Sequence, residues 1–335
     1  MFLHQLAMKE PGRVNYWKKV SIDQYKMQRI IILIPYFGKL PEWSDFFFDT
    51  VKRNETIDFL FYTDCQIENH QAPNIKCVKL SFQEYTDKVN KHLDFQFTPA
   101  NAYKLCDIRP LFGTIHQEDL KEYDFYGWCD LDLIFGDIRS FYTNDILNSY
   151  DIFTTHKNRM SGHFSLFRNN SSNREMYKKI YNWQEILKNP NFVGIDEHGL
   201  KNAYRMTKVD KFNEKFNRNI DNWLTKKIKK GKLRRLYMRE QYSTPFIPYP
   251  WIDGSLDSNQ PDKWFFNNGT ITNERDGDRK FMYLHFMNFK NSRWRHDKTT
   301  AHWGEGKSDF YLLKAGDFDN PIIIDTKGIR IDNES

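Results

Sequence analysis

The stretch Arg29-Ile30-Ile31-Ile32-Leu33-Ile34-Pro35-Tyr36-Phe37-Gly38 decides how the rest of this chain is read. Its five consecutive aliphatic residues have no polar face, and Pro35 and Gly38 close the run. That is the pattern of a strand buried on both sides in a parallel sheet. Working outward, Pro41 to Arg53 is amphipathic and helix-like, Ile57 to Tyr62 is a second apolar run ending at Thr63-Asp64, and Ile75 to Leu80 is a third. Ser81 followed three residues later by Glu84 marks the capped start of a helix to Leu93. Ala102 to His116 is helical with an interruption at Pro110. A fourth apolar run lies within YDFYGWCDLDLIFGDI, residues 123–138. Tyr150 to Thr154 and Gly162 to Phe167 read as further strands, and Asn173 to Leu187 as a helix. The alternation predicts an α/β fold: a mostly parallel, Rossmann-like sheet flanked by helices, with ligands at the carboxyl ends of its strands.

The 335 residues divide into three parts on this reading. Residues 1–28 are a polar N-terminal extension, 29–205 the core, and 206–335 a C-terminal region that completes the site. The pattern over 200–245 is helical and basic, 245–280 is rich in Pro, Asn, Asp and Gly, and Phe281 to Phe286 is a last compact apolar stretch. With 39% hydrophobic and 28% charged residues, the composition excludes collagen-like and wholly disordered chains. The longest aliphatic run falls far short of the roughly 20 residues a membrane-spanning helix needs. The N-terminus has no signal-like apolar core, and the four cysteines form no CxxC pair, so a reducing cytoplasm is the expected location. The net charge of +6 is concentrated in KKIKKGKLRRLYMR, residues 226–239. That segment is either a solvated helix face or a docking surface for an anionic membrane or a phosphate-bearing acceptor.

Asp130-Leu131-Asp132 closes the apolar run that begins at Phe125. Two carboxylates at a strand end offer hard oxygen donors to Mn²⁺ or Mg²⁺ while leaving coordination sites for phosphate oxygens. The triplets Asp276-Gly277-Asp278 and Asp317-Phe318-Asp319 lack a preceding buried strand and read as solvated loops.

Together, IIILIPYFG, FYTD, AYKLCDIRP and GWCDLDLIFGDI resemble the nucleotide-sugar-dependent glycosyltransferases of the GT-A fold, specifically the bacterial capsule and lipopolysaccharide type. The resemblance spans about residues 29–205, with an echo near 285. It implies that Pro35, Tyr36 and Phe37, with Thr63 and Asp64, hold the nucleoside of a UDP-sugar donor. It implies that Lys104, Asp107 and Arg109 contact base, ribose or donor sugar. Here Arg109 follows Asp107 by two residues, where related toxin-type and mannosyl-type enzymes carry Ser-Asp with Arg three after the Asp. The same resemblance makes His285 the third metal ligand beside Asp130 and Asp132, and gives Lys290 the diphosphate. Gly162 and His163, in Ser161-Gly162-His163-Phe164-Ser165, match the strand that lines the donor sugar. Asp196 and Glu197 match an acidic catalytic motif found in both inverting and retaining enzymes. Trp251 and Trp264, in a loop-like stretch, are candidate sugar-stacking platforms.

The function expected is transfer of a sugar from a UDP-sugar to a saccharide or lipid-linked saccharide acceptor in bacterial surface polysaccharide synthesis, with no nucleic-acid partner. Two alternatives use the same residues differently. Asp130 and Asp132 would also serve metal-dependent phosphoryl transfer or hydrolysis, and residues 226–239 would also serve a non-enzymatic binder of anionic polymers.

Overall fold

The computed structural model describes residues 27–200 except 42 and 156–159, residue 203, and residues 236–238, 242–243, 261, 263–285, 313, 316–325 and 328–333. The N-terminal extension up to residue 26, most of the basic segment 226–239, Trp251 and Lys290 lie outside the described residues.

The frame is a seven-stranded sheet of order β3-β2-β1-β4-β7-β6-β8. Its strands are β1 (Ile30–Tyr36), β2 (Ile57–Thr63), β3 (Ile75–Lys79), β4 (Phe125–Cys129), β6 (Ile152–Thr154), β7 (Phe164–Arg168) and β8 (Leu236–Met238). The pairs β1/β2, β2/β3, β1/β4 and β6/β8 are parallel, and β7 runs antiparallel to both its neighbours. Strand side chains alternate between faces. Ile30, Ile32 and Ile34 therefore enter one core with Phe47, Phe48 and Val51 of helix Ser44–Lys52. Ile31 and Leu33 enter the other with Tyr85 and Val89 of helix Phe82–Asn90. Both faces are covered, which is why β1 has no polar side. The capping box at Ser81 and Glu84 is present: each side chain accepts the other's backbone N–H, at 3.2 and 2.7 Å.

Three elements differ from the sequence reading. The expected helix over 102–116 is a 3₁₀ helix, Ala102–Leu111, followed by one α-turn, Phe112–Ile115, with Pro110 at the join. The expected helix 173–187 is broken into Ser171–Arg174, Met176–Lys179 and Trp183–Lys188, with Asn182 left-handed before the last piece. In the C-terminal region, expected to be helical in its first part, the described residues 236–238 and 242–243 are strands.

Beyond these, β10 (Lys263–Asn267), β11 (Thr270–Asn273), β12 (Gly277–Phe281), β14 (Ile322–Asp325) and β15 (Gly328–Ile331) form an antiparallel sheet of order β12-β11-β10-β14-β15. Trp264, Phe266, Ile271 and Ile324 pack there around Phe46 of helix Ser44–Lys52. Trp264 is thus completely buried in a core, which corrects its reading as a stacking platform. A third sheet joins β5 (Leu133–Phe135), β13 (Tyr283–His285) and β9 (Tyr242–Ser243) in the order β5-β13-β9. No described helix is long and apolar enough to cross a membrane.

Candidate active site

Asp130 follows β4 at the carboxyl edge of β1 and β4, and Asp132 immediately precedes β5. The two carboxylates lie in the bend between these strands rather than in a strand. β13 pairs antiparallel with β5, placing His285 opposite Leu133 and hence next to Asp132. One ligand atom each from Asp130, Asp132 and His285 lies within 4.8 Å of the others. His285 Nε2 is 3.5 Å from Asp132 Oδ2; both side chains are buried, and Asp130 is partly open to solvent. Two carboxylates and an imidazole suit Mn²⁺ or Mg²⁺, so this donor set fits a divalent cation.

Arg109 reaches this cluster from the 3₁₀ helix. Its Nη2 donates to the Asp130 carboxylate, and its Nη1 donates to Asp196 Oδ2 at 3.1 Å and to the Gly162 carbonyl. Burial opposes the guanidinium charge, but Asp130 and Asp196 outweigh it and hold Arg109 protonated. Asp196 is the second residue of the tight turn Ile195–Gly199 and is buried. Burial pushes its carboxyl up to about 7, with Arg109 working in the other direction. Among the described residues Asp196 Oδ1 has no hydrogen-bond partner. Glu197 is half-buried beside Gly162, where a Cβ would stand 2.8 Å from Glu197 Oε1 and 3.2 Å from Asp196 Oδ2. Glycine is what lets the acidic turn approach strand β7's entry so closely.

Lys104 and Asp107, expected at the donor, are both completely inaccessible. Asp107 accepts from Lys104 Nζ at 2.9 Å and from the backbone N–H groups of Val193, Gly194 and Ile195 at 2.8, 2.8 and 2.9 Å. Lys104 also donates to the Ile186 carbonyl. The pair therefore fastens the segment that ends in Asp196. Cys106, between Lys104 and Asp107 in the chain, is half-buried, and desolvation pushes its thiol up to about 12.

The expected nucleoside residues come together where β1 and β2 end in register, Tyr36 opposite Thr63. Asp64 is exposed and accepts the Gly38 N–H at 2.8 Å, while the buried Thr63 hydroxyl accepts the Cys65 N–H at 3.0 Å. Tyr36 donates to the Lys39 carbonyl at 2.9 Å. Phe37 turns inward against Phe82 and Tyr85, with ring centroids 5.6 and 5.4 Å away, and Pro35 is half-buried at the end of β1. His163 is buried, with its ring against His285 and Nε2 2.8 Å from the Tyr283 hydroxyl. Tyr283 went unnoticed in the sequence, although its place two residues before His285 on one strand puts both on the same face.

The fold and site define an α/β protein with an acidic, cation-competent centre at the carboxyl edge of a mostly parallel sheet. The chain belongs to a family of unknown function, DUF6625, whose model matches residues 32–315. No curated protein matches it. Among solved structures it is similar to the galactosyltransferase LgtC in complex with donor and acceptor sugar analogs, at 12% identity and TM-score 0.33, over 50% of this chain and 71% of that one. It is also similar to mouse xyloside xylosyltransferase 1, at 12% identity and TM-score 0.32, over 52% and 78% of the two chains. For the glycosyltransferase GlyE of Streptococcus pneumoniae TIGR4 the values are 8% and 0.31, over 64% and 46%. Likeness at that level carries no argument about chemistry, which rests on the site itself.

Proposed function

We propose that this chain is a glycosyltransferase that moves a sugar from a UDP-sugar to a saccharide or lipid-linked saccharide acceptor in bacterial surface polysaccharide synthesis. The observation that carries the reading is the bridge made by Arg109 between Asp130 of the cation-competent cluster and the buried Asp196. It joins a diphosphate-binding centre to an acid at neutral-range pKa, the two requirements of glycosyl transfer from a nucleotide sugar. Asp130, Asp132 and His285 would hold Mn²⁺ or Mg²⁺, which when bound supplies positive charge to the leaving diphosphate. Arg109 orients Asp196 and adds a fixed cation. Asp196, close to half-protonated near pH 7, holds or releases a proton at Oδ1. Glu197, one residue on, supplies a second carboxylate against Gly162. The loops after β1 and β2 receive the nucleoside. A cytoplasmic location, with residues 226–239 touching an anionic membrane, belongs to the same proposal.

The test is UDP-sugar hydrolysis or transfer measured with and without Mn²⁺. Activity should require the cation and vanish in Asp130→Ala and Asp132→Ala. Replacing Asp196 or Glu197 with its amide should lower turnover while leaving Mn²⁺-dependent stabilisation by UDP intact. Full activity in both Asp130→Ala and Asp132→Ala rejects the assignment.

A further inference from the structure

The imidazole of His285 lies against a second one. The His163 and His285 rings stack with centroids 4.0 Å apart and planes 22° from parallel. His163 is itself held at both ends. Its carbonyl accepts the Asp130 N–H at 2.9 Å, extending the β4/β7 ladder by one step, and its Nε2 meets the Tyr283 hydroxyl at 2.8 Å. That hydroxyl meets Thr155 Oγ1 at 2.6 Å, and Thr155 Oγ1 meets Ser161 Oγ at 2.7 Å. Ser161 is two residues before His163, so the contacts close a ring of buried polar groups beneath the cluster. Tyr283 and His285 share one face of β13.

We propose that His163 is a positioning residue for the cation centre: its ring, locked by Tyr283, Thr155 and Ser161, confines the His285 imidazole to the orientation that faces Asp132. This inference rests on the reading of Asp130, Asp132 and His285 as cation ligands. A metal-binding histidine loses affinity when its ring is free to turn, because the ordering cost is then met at the moment of binding. Groups that orient ligands in this way are commonly worth about 10- to 100-fold in metal affinity. The stack supplies the orientation from the ring face, and the Asp130 N–H bond ties the same residue to a second ligand. His163 thus links two of the three ligands, His285 through its ring and Asp130 through its carbonyl.

The experiment is a Mn²⁺ titration of the full chain, following free Mn²⁺ by electron paramagnetic resonance, with the cation-free melting temperature recorded in parallel. His163→Ala should bind Mn²⁺ about 10- to 100-fold more weakly than wild type. Tyr283→Phe should lie between the two. His163→Phe, which restores a stacking ring but not the bond to Tyr283, should recover part of the loss and bind about as tightly as Tyr283→Phe. A purely structural role would lower the melting temperature and leave the dissociation constant of the folded protein unchanged. That result, or failure of His163→Phe to recover affinity, overturns the proposal. Should His163→Ala fail to fold, Tyr283→Phe decides: weaker binding supports the proposal and unaltered binding rejects it. Equal Mn²⁺ binding by wild type and Asp132→Ala would instead reject the cation reading, a result separable from any effect at His163.

Discussion

Two buried aspartates flank one short segment of backbone and are treated in opposite ways. Asp107 binds the N–H groups of residues 193–195 and the ammonium of Lys104, so both its oxygens are taken. Asp196 follows that segment directly. One of its oxygens takes Arg109, and the other has no partner among the described residues. A buried carboxylate saturated with donors is architecture, because its desolvation is offset contact by contact. A buried carboxylate left half-served is held in a higher-energy state that a proton or a ligand relieves. The first builds the platform on which the second is displayed.

The largest expected effect comes from breaking the saturated member. Asp107→Ala leaves the Lys104 ammonium buried without its counter-charge, and losses of about 3–5 kcal/mol are usual for such a cut. Urea denaturation at neutral pH should register it. Asp196→Asn, by contrast, keeps an acceptor for Arg109 and removes a carboxylate whose ionisation burial opposes, so at neutral pH it should leave stability unchanged or raise it. Equal losses in the two variants would erase the distinction.

The half-served member should also show itself in pH dependence. Folding raises the Asp196 pKa from 3.8 to about 7. The native state then binds more protons than the unfolded chain across that window, and stability falls as pH rises through it. His116 is fully buried and its pKa is depressed by that burial from 6.5 to about 4. There the native state binds fewer protons, and stability is lost as pH falls through the same range. Each contribution is on the order of 3 kcal/mol, and between roughly pH 4 and 6.5 they oppose each other. Over that interval Asp196 offsets part of the slope set by His116, to which the likewise lowered His70 and His92 add. Asp196→Asn should remove the offset, so that its stability climbs more steeply with pH than that of wild type; a variant profile parallel to wild type would contradict the raised Asp196 pKa.

This contrast also marks what the sequence could reveal. The strands β1, β2 and β4 were legible because burial on both faces leaves an unbroken apolar run, as at Ile30 to Ile34. The antiparallel C-terminal sheet was not, because strands such as Gly277-Asp278-Arg279-Lys280-Phe281 carry charges on their open side. The helix expected from 173 to 187 failed at Asn182, whose left-handed backbone no periodicity announces. Within the site, Asp130, Asp132 and His285 were legible through motif and context, and they do converge. Asp107 shows the limit. A charged residue beside a motif reads the same whether it faces a ligand or a knot of backbone amides, and only its burial separates the two.

A smaller effect separates two glycines with similar crowding. At Gly127 in β4 an added Cβ would sit 2.3 Å from the Ser165 carbonyl oxygen and 3.3 Å from Leu166 Cα. Neither atom can move without parting β4 from β7, so Gly127→Ala should cost about 1–3 kcal/mol or more. Thermal unfolding would show it, and a native melting temperature would mean that the two strands part more readily than their register implies.

At Gly162 the added Cβ meets Glu197 Oε1 at 2.8 Å and Cγ at 3.0 Å, atoms of a side chain that can swing aside. Gly162→Ala should therefore leave stability within about 1 kcal/mol of wild type. The cost moves to the site instead. Displacing the Glu197 carboxylate, and crowding Asp196 Oδ2 at 3.2 Å, shifts the acidic pair relative to Arg109 and the cation cluster. Misplacement of about an ångström costs on the order of 100-fold in rate, so under the proposed activity turnover should fall while Mn²⁺ binding and melting temperature hold. If turnover is unchanged, the Glu197 carboxylate is not positioned by this contact and the turn it belongs to serves packing alone. The pairing of these glycines thus repeats, at smaller scale, the division between Asp107 and Asp196: one close approach holds the sheet together and the other sets the place of a reactive group.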